Sequence, residues 1–139
     1  MNWNSVPLMG RVISCCVEVH RQLGAGLLER AYQLALCHEL RAAGIPYACE
    51  VDVPMVYKGE SIGRVFRADI IVDKSIIVEL KAVSELTEVH HAQLFTYLRV
   101  SRIPYGLLVN FNTTSLWTGA MSRKTVDEAD AFRLSSPDF

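Results

Sequence analysis

Arg67-Ala68-Asp69-Ile70-Ile71-Val72-Asp73-Lys74-Ser75-Ile76-Ile77-Val78-Glu79-Leu80-Lys81 is two apolar runs joined by a short polar turn, the pattern of a β-hairpin. A three-residue turn at Asp73-Lys74-Ser75 sets Val72 opposite Ile76. The same register sets Asp69 opposite Glu79 and Arg67 opposite Lys81. Side chains alternate across a strand, so Ala68, Ile70, Val72, Ile76, Val78 and Leu80 are expected on one face, in the core. Arg67, Asp69, Glu79 and Lys81 are expected on the other. Carboxylates directly opposite one another have Cβ atoms only ~5 Å apart and repel. A divalent cation between them is one resolution, because Mg2+ takes one or two carboxylates and keeps the rest of its shell for water and phosphate oxygens. A surface cluster of ion pairs among the four residues is the other, and these residues alone do not separate the two.

Outward from the hairpin, residues 47–57 form a strand that Pro54 marks as an edge. Lys58-Gly59-Glu60 turns it into the strand 61–72, with Gly63 at a bulge, so the hairpin extends to a three-stranded antiparallel meander. On the far side, Thr87 is the expected N-cap of a helix running to about Arg102, with Glu88 in its first turn. Val89, Ala92, Gln93, Thr96, Tyr97 and Val100 form its expected stripe, in which Gln93 and Tyr97 are four apart and therefore adjacent. Pro104 closes that helix. The continuous apolar run Tyr105–Phe111 suits a buried strand parallel to residues 76–81, with a right-handed crossover.

Before the sheet, Val6, Met9, Ile13, Cys16, Val17 and His20 have helical spacing, which predicts a helix over 5–22 with His20 as a packed or capping side chain. Leu23-Gly24-Ala25-Gly26 breaks it. A second helix is expected from Leu27 to about Ala43, with Leu28, Ala31, Leu34, Ala35 and Leu40 inward and Glu29 in its first turn, where a carboxylate suits the dipole. Residues 115–126 are expected to add a short strand pair around Gly119. The fold class that follows is one α/β domain over residues 1–126, a mixed central sheet flanked by helices, with residues 127–139 as an acidic, loosely held tail.

A chain of 139 residues, half of them hydrophobic, is long enough for a core without staples. It has no run long and apolar enough to span a bilayer, so no membrane partner is expected. The net charge of −1 gives no global basic field of the kind many nucleic-acid binders carry. A bound cation would supply positive charge locally. Cys15, Cys16, Cys37 and Cys49 show no zinc spacing, and three of them sit among apolar residues as small core side chains. With no signal-like start, the expectation is a reduced, cytoplasmic protein. His90 and His91 are neighbours on a helix, point apart and are expected in solvent. Trp3, Tyr57 and Trp117 are candidate base-stacking rings with packing as the competing role, and Arg64, Arg67, Arg99 and Arg102 are candidates for a phosphate path.

Three motifs in order resemble a known family. Gly26-Leu27-Leu28-Glu29-Arg30-Ala31-Tyr32 resembles the GxxExxY signature. Asp69, nine intervening residues, then Glu79-Leu80-Lys81 resembles the D…ExK motif of the PD-(D/E)XK nuclease superfamily. Gln93-Leu94-Phe95-Thr96-Tyr97 is similar to the QxxxY motif of its exonuclease branch. The resemblance covers nearly all of residues 5–120 and implies a restriction-endonuclease-like core. It departs at Ala68, where the superfamily's name has a proline, a position that varies widely among such proteins. It implies that Asp69 and Glu79, with the Leu80 carbonyl, hold Mg2+ or Mn2+, and that Glu29 completes or orients the shell. It further implies that Lys81 positions the attacking water and that Gln93 and Tyr97 bind the nucleic-acid backbone or metal-bound waters. A lysine is charged at neutral pH and neighbouring carboxylates favour that form, so Lys81 reads as a cationic positioner and not as a base. The expected partner is nucleic acid, DNA first and RNA second, with a homo-oligomer left open. The alternative is a catalytically lapsed relative that keeps the fold as a binding module.

Overall fold

The computed structural model describes residues 7–117 and 119–135. Helix α1 (Pro7–Leu23) and helix α2 (Glu29–Ala42) precede strands β1 (Tyr47–Tyr57), β2 (Glu60–Val72) and β3 (Ile76–Lys81). Helix α3 (Glu88–Ser101), strands β4 (Tyr105–Asn110) and β5 (Met121–Thr125), and helix α4 (Val126–Ser135) complete the chain. The strands form one sheet in the order β1-β2-β3-β4-β5, antiparallel except for the parallel β3–β4 pair. This is the restriction-endonuclease-like α/β fold expected from the sequence. β1 is an edge strand, as Pro54 implied, and the β1–β2 register slips at Pro54.

The sheet separates two cores. On one side Met9, Val12, Cys16 and Val19 of α1 and Tyr32, Leu36 and Leu40 of α2 pack on Ile70, Val72, Ile76, Val78, Leu80, Leu107 and Val109. On the other, Leu94 and Leu98 of α3 and Ala129 of α4 pack on Val53, Ala68, Ile77 and Leu108. Alternation along β3 and β4 produces this division, since successive strand side chains point to opposite faces.

Alternation does not hold along β2. Ala68 lies under α3 while Ile70 lies under α1 and α2, so the single apolar face expected from Ala68 to Leu80 is broken between these two residues. The pairs Cys49↔Ile70 and Val51↔Ala68 bracket the break, and at the step between them Glu50 takes φ 51. A non-glycine residue in the left-handed region turns the strand locally, and both strands exchange faces there. Asp69 occupies that step.

Several helical faces also differ from expectation. Leu28 and Leu34 are exposed, whereas Tyr32 and Gln33 are buried, so α2 is rotated relative to its apolar stripe. The cause is Tyr32, whose ring stacks on Phe111 at 4.6 Å and whose hydroxyl donates to Gly24 O at 2.7 Å and accepts from Leu27 N at 3.1 Å. In α3 the inward residues are Leu94 and Leu98, while Val89 is exposed. Gly106 beneath Leu94 and Leu98 lets that helix lie close to β4, since a Cβ there would be 3.1–3.2 Å from their methyl groups. Among the described residues, 115–126 supplies only β5. Residues 127–135, expected as a loose tail, form most of α4, which packs through the fully buried Ala129. Val6 and Trp3 lie outside the described residues.

Candidate active site

The β2–β3 ladder is three pairs long: Val72↔Ile76, Ile71↔Ile77 and Ile70↔Val78. Beyond it β2 stays paired with β1, and β3 stays paired with β4 as far as Lys81↔Asn110. The two halves of the sheet therefore part at Asp69 and Glu79. Side chains take over the ladder's hydrogen bonds at this point. The Asp69 amide donates to Glu79 Oε1 at 3.2 Å, and the Leu80 amide donates to Asp69 Oδ2 at 2.8 Å. The Asp69 carbonyl accepts from Gln33 Nε2 of α2 at 3.3 Å. Buried backbone polar groups require partners, and the split in the sheet supplies those partners as side chains.

The facing of Asp69 and Glu79 read from the hairpin register is thus present, and among the described residues no arginine pairs with either. Arg67, expected on the same face, instead pairs with Asp52 of β1 at 3.0 Å. Arg102 pairs with Asp130 of α4 at 3.0 Å.

Glu79 is 6 % exposed, and Asp69 is half-buried. Burial, followed by the charge of Asp69, pushes the Glu79 carboxyl up to about 8. Burial also raises Asp69, opposed by the Leu80 amide and by Lys81. Burial thus raises both carboxyls, and at Glu79 the neighbouring charge of Asp69 adds to it. Two buried like charges at this spacing are costly, so without an added cation the pair is biased toward holding a proton. That is the property of a donor set suited to a divalent ion, since a cation neutralises both oxygens where a proton neutralises one.

Lys81 follows two residues after Glu79, on the same face of β3, and its charge acts on both carboxyls. From α3, Tyr97 stacks on Phe66 of β2 at 3.9 Å with the rings 3° from parallel. Burial raises the Tyr97 hydroxyl, and the charges of Glu79 and Asp69 raise it further, so the phenol lies within electrostatic reach of the pair. Gln93 is exposed one turn before Tyr97, and Glu29 is exposed one turn before Gln33. Both therefore lie on helix faces whose next turn touches or senses the carboxylates. Among the described residues no three His, Cys, Asp or Glu side chains form a metal-holding group. The structure joins Asp69 with Glu79 and leaves Glu29 at the rim.

Gln33 is the residue that the sequence reading missed. Its burial on α2 beside Tyr32 carries no apolar signal. His90 and His91, expected in solvent, are instead half-buried with partners. His90 Nδ1 accepts from the Thr87 amide at 3.0 Å and so caps α3, while His91 Nδ1 lies 2.7 Å from the buried Lys124 Nζ. His20, expected as a packed or capping side chain, meets Thr113 O through Nε2 at 2.7 Å. Tyr57 and Trp117 are exposed. An apolar cavity of about 440 Å³ lies around the Asp73-Lys74 turn, lined by Tyr47, Val51, Ile71 and Ile103. It is at the opposite end of the hairpin from the carboxylates and holds none of these groups. No described helix is long and apolar enough to cross a membrane.

The family described as the PD-(D/E)XK nuclease superfamily matches residues 7–123, a span that contains Glu29, Gln33, Asp69, Glu79, Lys81, Gln93 and Tyr97. No curated protein and no solved structure matches the chain.

Proposed function

The chain belongs to the PD-(D/E)XK nuclease superfamily, and on that premise we propose that it is a Mg2+- or Mn2+-dependent phosphodiesterase acting on DNA, with RNA as the second candidate. The observation that carries the proposal is the facing Asp69–Glu79 pair beside Lys81 where the sheet divides, with Glu79 buried and both carboxyls raised by burial. Asp69, Glu79 and the Leu80 carbonyl are the groups that would hold the ion, with Glu29 reaching in from the first turn of α2. A bound divalent ion supplies an acidified water and a Lewis acid for the phosphate. Asp69 is fixed through its carbonyl by Gln33 and through Oδ2 by the Leu80 amide, so its remaining carboxyl oxygen is the one presented to a ligand. Lys81 orients the attacking water and offsets charge on the phosphate, and Gln93 and Tyr97 hold the nucleic-acid backbone.

The test is cleavage of linear, circular and single-stranded DNA and of RNA in Mn2+ by the wild type and by Asp69→Asn, Glu79→Gln and Lys81→Ala. The expected outcome is loss of at least about 100-fold in kcat for each variant, a loss typical of groups that stabilise the transition state, with the folded structure retained. Equal behaviour of all four proteins would favour the second reading, a binding module that keeps the fold without the reaction. The net charge of −1 favours that second reading, because it provides no broad basic grip on a polyanion.

A further inference from the structure

Cys37 of α2 and Cys49 of β1 place their sulfurs 2.8 Å apart. Core packing explains Cys37, which is buried, but does not explain Cys49, which is exposed. A free cysteine used only as a small apolar side chain belongs in the interior. Covalent S–S separation is ~2.05 Å, so the two sulfurs need close by only roughly 0.8 Å to bond. They do not form a zinc site, since no third ligand joins them among the described residues. Burial, then the hydrogen bond to Cys49, pushes the Cys37 thiol up to about 12.

We propose that Cys37 and Cys49 are an oxidation site: a peroxide converts them into an intramolecular disulfide that ties α2 to β1. The exposed Cys49 sulfur attacks the peroxide O–O bond, giving a sulfenic acid, and the departing hydroxyl takes the Cys49 proton and leaves as water. Cys37 Sγ then attacks the Cys49 sulfur. The S–S bond forms, the S–O bond breaks, and the departing hydroxyl leaves as water with the Cys37 proton. Two thiols lose two electrons in all, and one hydrogen peroxide is reduced to two waters.

The location gives the bond a consequence. Cys37 is one helical turn beyond Gln33, the residue that holds the Asp69 carbonyl. Cys49 pairs with Ile70 and precedes Glu50, the residue at which the strands exchange faces. Glu50 already ties the same two elements through Arg30 at 2.7 Å. A covalent link beside that ion pair fixes α2 against the strand pair that carries Asp69. The link is independent of whether the carboxylates catalyse anything.

The experiment treats the full chain, reduced and desalted, with hydrogen peroxide. It reads intact mass with and without alkylation, a peptide map, and the melting temperature. The expected product is a monomer lacking two hydrogens, with the 37- and 49-containing peptides joined. Its melting temperature should rise by several degrees, because the link restricts the unfolded chain, and dithiothreitol should reverse the change. Cys49→Ser, at an exposed position, should melt like the reduced wild type and show neither the link nor the rise. Cross-linked dimers, sulfinic acid at Cys49 with Cys37 still alkylatable, or a linked monomer with no gain in melting temperature would each overturn the proposal.

Discussion

Glu79 shows how one buried proton shapes the pH behaviour of the molecule. Its carboxyl is raised from 4.5 to about 8 in the folded state. Between those values the folded chain holds a proton that the unfolded chain has released, so stability falls as pH rises across the window. Glu79→Gln removes this titration and keeps the shape. Urea unfolding in EDTA should therefore find the variant more stable than wild type at pH 8, by on the order of a few kcal/mol, and the difference should vanish near pH 4. A difference that does not change with pH would contradict the assignment of the proton to Glu79. The facing of Asp69 and Glu79 was legible because a period of two and a three-residue turn determine register. The clasp by Gln33 was not, because it depends on the left-handed Glu50 and the ladder break at Asp69, which no local pattern announces.

At the level of elements, a few side chains outweigh the apolar stripes. Tyr32→Phe keeps the stack on Phe111 but removes the bonds to Gly24 and Leu27. It is expected to cost about 1–2 kcal/mol in chemical denaturation. Gly106→Ala places a methyl 3.1–3.2 Å from Leu94 and Leu98, both of them buried. It should cost about 1–3 kcal/mol by overpacking, and an unchanged unfolding midpoint would mean that α3 has room to shift. The strands were readable because turns at Lys58-Gly59 and Asp73-Lys74 punctuate them. The helix rotations were not, because α2 turns a tyrosine and a glutamine inward while two leucines face solvent. Periodicity scores such residues the wrong way round. α4 was missed for a related reason: an acidic composition looked like solvent, although Ala129 is the residue that docks it.

On the scale of the whole molecule, the sheet is two ribbons, β1–β2 and β3–β4–β5, joined by three rungs. Amides on those rungs should exchange with deuterium sooner than the β3–β4 amides, whose ladder runs for six pairs. Equal protection across both ladders would show the junction to be as firm as the rest. The Asp69 and Glu79 carboxylates stand one step beyond the last rung, where the ribbons part. Side-chain bonds of Asp69 and Glu79 stand where a fourth rung would be, so a force that spreads the ribbons meets those two bonds first and the three backbone rungs after them. The seam is therefore the hinge line of the sheet, along which it should bend before either ribbon or either core is disturbed.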